Sequence, residues 1–146
     1  MTFATHTLGY TAQQGVGDFT TPAFMNGSTA TAVMTDVTVN SSGLFVAVGY
    51  DSTAAPLYAT SNNGYTWTTP ARMNGSSAYA QMTNVTVNSS GLFVAVGIDL
   101  SVSPLYATSS NGSTWTTPAL MNGSTANAFM RSVTVNSSGL CVAVAN

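Results

Sequence analysis

The chain has 146 residues, 45% of them hydrophobic and 4% charged, with a net charge of −2. That is the size of one domain, and it is too apolar for a disordered chain. The charged residues are four aspartates and two arginines, so there is no basic footprint for nucleic acid, and no apolar run approaches the roughly 20 residues of a membrane-spanning helix.

In chain order, the start Met-Thr-Phe-Ala-Thr-His lacks a basic region followed by an apolar stretch, so no signal peptide is expected and the protein reads as soluble; its compartment is not encoded. His6, the sole histidine, excludes a multi-histidine metal cluster within one chain and reads as a surface residue. A block beginning at Gln13, QQGVGDFTTPAFMNG, returns in sharper form at Ser61 (SNNGYTWTTPARMNG) and Ser109 (SSNGSTWTTPALMNG). The run VTVNSSGLFVAVG begins at Val37, recurs at Val85 and returns as VTVNSSGLCVAV at Val133. Residues 3–50, 51–98 and 99–146 are therefore three copies of one 48-residue unit.

Each copy reads as four short strands. In the middle of the chain, Thr83–Asn88 alternates β-branched and polar residues, as a half-buried strand does. Ser89–Gly91 is a turn, and Leu92–Gly97 is a continuous apolar run fit for a strand covered on both faces. The loop Asp99–Ser103 follows, then the strand Pro104–Thr108. The tight hairpin Ser110–Gly112 leads into a fourth strand, Ser113–Thr116. Only Ser76–Met82 has room for a turn of helix. Four-stranded units repeating every 40–50 residues predict an all-β chain of β-propeller type. Cys141, the only cysteine, stands where Phe45 and Phe93 stand in the other copies and reads as a small buried hydrophobe. It excludes an intramolecular disulfide and a CxxC metal site.

The hairpin resembles the Asp-box, or bacterial neuraminidase repeat, with the pattern Ser/Thr-x-Asp-x-Gly-x-Thr-Trp. Thr60, Asn62, Gly64, Thr66 and Trp67 follow it with Asn for Asp; Thr108, Gly112, Thr114 and Trp115 follow it with Ser110 at the Asp place. In the first copy Ala12, Gln14, Val16, Asp18 and Phe19 stand there, and only the aromatic survives. The resemblance implies a structural hairpin between the third and fourth strands of a propeller blade, its aromatic plugging the gap between sheets.

That placement fixes the phase. The chain opens on strands three and four, from about His6 to Thr21, holds two whole units, and ends on strands one and two, Ser132 to Ala145. Closing three blades within one chain demands a turn of about 120° per blade, against the usual 4–8 blades. Two chains give six blades, two of them composite, in a closed ring without a free edge. The expectation is a homodimer, with residues 1–146 forming one half-ring. A monomer should be unstable alone.

Little chemistry is present. The resembled family includes sialidases, which use three arginines, a Tyr–Glu pair and an Asp; this chain has Arg72 and Arg131 and no glutamate. Glycoside hydrolysis needs two carboxyl groups flanking one bond. Asp51 and Asp99 share one repeat position and read as turn caps. No catalytic residue, cofactor or metal site is expected. The Asn-x-Ser/Thr triplets, Asn40 and Asn88 among them, follow from the repeated turns. Copies differ mainly in the loops Ser52–Ala55 and Leu100–Ser103 and in the segment before each first strand. There Ala78/Ala126, Ala80/Ala128 and Met82/Met130 are constant, and the residues between them vary. The constant set should be packed. The variable set, with Arg72, offers Arg72, Tyr79, Gln81, Asn127, Phe129 and Arg131 as ligand-binding residues suited to a sugar or another neutral polar ligand, the alternative being neutral drift in solvent-exposed loops. The leading expectation is a non-catalytic self-assembling propeller scaffold, recently amplified or designed. The alternative is a lectin-like propeller that binds a glycan on its loop face. A sialidase-like enzyme is disfavoured.

Overall fold

The computed structural model describes residues 32–76, 78–124 and 127–146. They form an all-β structure of antiparallel sheets without an α-helix. The first sheet is β1 (Ala32–Val39), β2 (Phe45–Asp51), β3 (Pro56–Ser61) and β4 (Ala71–Arg72), in that order. The second is β5 (Gln81–Val87), β6 (Phe93–Ile98), β7 (Pro104–Ser109) and β8 (Ala119–Leu120). The third has two strands, β9 (Met130–Val135) and β10 (Cys141–Ala145). The sequence expectation of strands three and four between His6 and Thr21 lies outside the described residues, as do His6 and Asp18.

Turn chemistry explains where the strands stop. Asn40 Oδ1 accepts from the Ser42 and Leu44 amides (3.1 and 2.9 Å) and from the Ser42 hydroxyl (2.8 Å), with Gly43 at φ +85°. Asn88 and Asn136 build the same turn. A short polar side chain thus satisfies the turn amides and reverses the chain in five residues.

The fourth strand is not where the sequence placed it. Residues 113–116 form no strand; the short β8 lies beyond them and pairs Leu105 with Leu120 and Tyr106 with Ala119. Side chains in the preceding turn take up the amides of residues 111–114, so those amides are withheld from a ladder. The chain rejoins the sheet at Thr116, whose amide donates to the Thr108 carbonyl (2.9 Å) while its hydroxyl accepts from the Thr108 amide (2.9 Å). The helical turn is displaced as well. Single 3₁₀ turns form at Met73–Gly75 and Met121–Gly123, where Asn74 and Asn122 sit at φ +48°. Residues 78–80 carry no helix, and Ala80 donates its amide to the Ala54 carbonyl (2.8 Å).

The first strands of the three sheets adjoin, with β5 touching both β1 and β9. In β1 and β5 a bulge skips Thr35 and Thr83. It aims each hydroxyl at two carbonyls, one on its own sheet and one on the next: Thr35 donates to Val48 O (3.1 Å) and Met82 O (2.8 Å), Thr83 to Val96 O (3.2 Å) and Met130 O (2.9 Å). In β9 the skipped residue is Arg131. A second latch runs one residue on. Asp36 Oδ2 accepts from Asn84 Nδ2 (2.6 Å) and the Val85 amide (2.9 Å), and Asn84 Oδ1 accepts from the Val133 amide (2.7 Å). Apolar side chains line each junction. Between the first two sheets lie Val46, Val48, Met73, Met82, Val85, Phe93 and Trp115; between the second and third lie Val96, Ile98, Met130 and Val133. The constant residues Ala80, Met82 and Met130 are buried, whereas Ala78 is exposed.

Candidate functional site

The hairpin between β3 and β4 is held by Ser61 and Asn63. Ser61 Oγ accepts from the amides of Asn63 (3.3 Å) and Gly64 (2.9 Å) and donates to Asn63 Oδ1 (3.1 Å). Asn63 Oδ1 accepts from the amides of Tyr65 (2.9 Å) and Thr66 (2.8 Å). Ser109 and Asn111 repeat the arrangement, and Asn111 Nδ2 also reaches Thr114 Oγ1 (3.3 Å). This corrects the sequence assignment by one residue. Thr60 and Thr108 serve through their backbones, and Asn62 and Ser110 point to solvent. Gly64 and Gly112 take φ of +75° and +76°, a left-handed conformation that glycine adopts at little cost. The indole N–H of Trp67 and of Trp115 donates to the carbonyl of that glycine, 3.1 Å in each case.

The two tryptophans differ in what covers them. Trp115 is 3% exposed and lies between the sheets with Tyr58, ring centroids 6.2 Å apart. Trp67 is half-buried and meets Phe45 edge to face at 6.4 Å. The same contrast runs through the strands. Val85 is 5% exposed where it faces the first sheet, while its repeat partner Val37 is 51% exposed. Val46 and Val48 are fully buried where they face the second sheet, while Val142 and Val144 are 53% and 56% exposed. Leu140 and Val39 are exposed too. The described residues thus leave two open apolar faces, Val37 and Val39 with Trp67 at one end and Leu140, Val142 and Val144 at the other. The sequence expectation that the terminal half-units carry an apolar face in need of cover names the stretch that holds Leu140, Val142 and Val144 but not the individual residues. The signal was present, since an apolar run built for a doubly covered strand recurs in the last copy.

The six loop-face residues form two groups, one per junction. Ala80 and Ala128 donate their amides to the carbonyls of Ala54 and Val102 (2.8 and 2.9 Å), which ties each variable segment to the variable loop of the preceding sheet. Tyr79 and Gln81 thus flank the residue tied to loop 51–55, where Arg72 also bonds, whereas Phe129 pairs through its backbone with Asn146 at the end of β10. Both arginines have partners in their own chain. Arg72 pairs with Asp51 Oδ2 (2.7 Å) and reaches Thr53 Oγ1 (3.3 Å). Arg131 lies over the Phe129 ring (4.1 Å) and donates to Asn146 Oδ1 (2.9 Å).

Asp51 and Asp99 cap their loops. Asp51 Oδ1 accepts from the Thr53 amide (2.8 Å), its hydroxyl (2.6 Å) and the Ala55 amide (3.1 Å); Asp99 Oδ1 accepts from the amides of Ser101 and Ser103 (2.8 Å each). The Thr53 hydroxyl bond, followed by Arg72, holds the Asp51 carboxyl well below the usual range. Ala54 and Val102 take φ +60° in these loops, the place glycine fills in the Asn-Ser-Ser-Gly turns. Among the described residues no group of three or more His, Cys, Asp or Glu could hold a metal ion, and no helix is long and apolar enough to cross a membrane. Compared with known proteins, the chain matches no family model and no curated sequence.

Proposed function

We propose that the protein is a non-catalytic β-propeller scaffold that assembles with itself, two copies closing a ring of six blades. The observation that carries this reading is the relation between the inner junction and the two open faces. At the first junction Leu44, Val46 and Val48 pack on Val85, Val87, Phe93 and Trp115. Two repeats on from the first group stand Leu140, Val142 and Val144; one repeat back from the second stand Val37, Val39, Phe45 and Trp67. The open faces are therefore the two halves of a junction the chain already makes. Full burial of a Val or Leu is worth ~1.5–3 kcal/mol, so joining them favours association strongly. A head-to-tail contact of this kind either closes or grows into a filament. Four whole blades and two composite ones fall within the usual 4–8. The two hairpins that resemble degenerate Asp-boxes support the same architecture, with their tryptophans as plugs.

Strand pairing gives the test. β2 and β3 pair Phe45 with Ser61, and β6 and β7 pair Phe93 with Ser109. The same register in a composite blade sets Cys141 opposite Gln13 of the other chain. Cα atoms of directly opposed residues lie ~4.5–5.5 Å apart, within disulfide range. Gln13→Cys under mild oxidation should give a disulfide-linked dimer that Cys141→Ser abolishes. A disulfide within one chain would mean a three-bladed ring, and no disulfide at all would count against the pairing.

A further inference from the structure

A cavity of about 500 Å³ opens between the second and third sheets, lined by Val94, Val96, Tyr106, Met121, Val133 and Cys141, with Asn122 at its edge. We infer that this cavity is a socket for an aromatic hairpin from a second copy of the chain, seated by Phe19 and Thr21. The inference rests on the assembly reading above and adds the site that holds the partner.

The first junction shows what such a space contains. One repeat earlier the lining residues are Val46, Val48, Tyr58, Met73, Val85 and Phe93. There the space is filled by Trp115, which belongs to one core with Val46, Val48, Met73, Val85 and Phe93 and meets the Tyr58 ring. Asn74 Nδ2 donates to Thr117 Oγ1 at 2.6 Å beside it. At the second junction every receiver but Phe93 recurs, Asn122 in the backbone conformation of Asn74 (φ +48°, ψ +32°), and the described residues supply no hairpin. The residues that match Trp115 and Thr117, two repeats back, are Phe19 and Thr21. Two departures shape the fit. Val16 stands where Gly112 stands, and a Cβ at Gly112 would press to 2.7 Å from Val46 Cγ2. The match therefore rests on Phe19 and Thr21 and not on the turn before them. Cys141 replaces Phe93, which widens the socket by most of a phenyl ring, and Phe19 fills less of it than an indole.

Cys141 reports on the socket from inside. The experiment follows its reaction with a chromogenic disulfide in full-length protein, with solution mass measured in parallel. The wild-type thiol should react slowly in the assembled form, and at least about tenfold faster in assembled Phe19→Ala, because access controls thiol reactivity. Phe19→Trp should stay assembled with a thiol as slow as in the wild type. Should Phe19→Ala fall to single-chain mass while Phe19→Trp remains assembled, the socket is supported equally. An assembled Phe19→Ala with the wild-type thiol rate would overturn the socket and leave the assembly reading standing, the cavity then being open to a small aromatic ligand. A wild-type chain of single-chain mass would overturn both.

Discussion

Trp67 and Trp115 occupy equivalent hairpins with equivalent indole hydrogen bonds, so replacing each by alanine isolates the effect of what covers the ring. Trp115 is almost wholly enclosed between two sheets of one chain. Truncation of so buried an aromatic costs ~3–5 kcal/mol, a large part of the ~5–15 kcal/mol that holds a domain together. Trp115→Ala should therefore lower folding stability by that amount, read from the urea midpoint at fixed protein concentration. Trp67 is half-buried, with Phe45 as its ring partner. In a lone protomer its truncation should cost less. In the proposed ring it would plug the composite blade as Trp115 plugs the first sheet, and the remainder of the ~3–5 kcal/mol would fall on association. At ~1.4 kcal/mol per tenfold, a remainder of about half that cost should weaken the dimer by at least ~10-fold, measured by sedimentation equilibrium. The reasoning fails if Trp67→Ala leaves the dissociation constant within a few-fold of wild type.

Three further outcomes are expected. Gly112→Ala adds a Cβ 2.7 Å from Val46 Cγ2 in a left-handed residue, and should cost ~1–3 kcal/mol more than Gly64→Ala, whose Cβ would meet only Phe45 at 3.7 Å; equal urea midpoints would contradict the packing described. Asn84→Ala strips the Val133 amide of its acceptor and Asp36 of a donor, so the midpoint should fall by the equivalent of ~1–3 kcal/mol; an unchanged midpoint would mean that water replaces the latch. The folded-state pKa of Asp51 is lowered, so its contribution is present above the ordinary carboxylate value near pH 4 and is lost as pH falls below it. Asp51→Asn should thus be less stable than wild type at pH 7, and the gap should narrow on acidification below pH ~4; a gap that is constant with pH would remove the carboxylate from the account.

Much of the fold was legible because the repeat states each signal more than once. The Asn-Ser-Ser-Gly turns and the apolar runs placed β2, β6 and β10 within a residue or so. The fourth strand was missed because Ser109 and Asn111 use side chains to satisfy amides that a strand would need, and strand propensity at Thr114–Thr116 carries no trace of that competition. The same feature moved the turn-holding residues by one position, since Thr60, Ser61, Asn62 and Asn63 are equally plausible turn formers. The variable residues read as sites at blade junctions or the central channel, and sequence spacing does not show that Ala80 and Ala128 tie their two segments to separate loops. Surface valines read as core in the last copy, because a strand sequence encodes the face it needs covered and not which chain covers it.

The central claim is that the open faces of one chain close on those of another. Native mass determination in solution at low micromolar concentration tests it most directly. The account predicts one species at twice the 14.9 kDa chain mass, with no larger forms. A folded species at 14.9 kDa, or a ladder of open polymers, would contradict it.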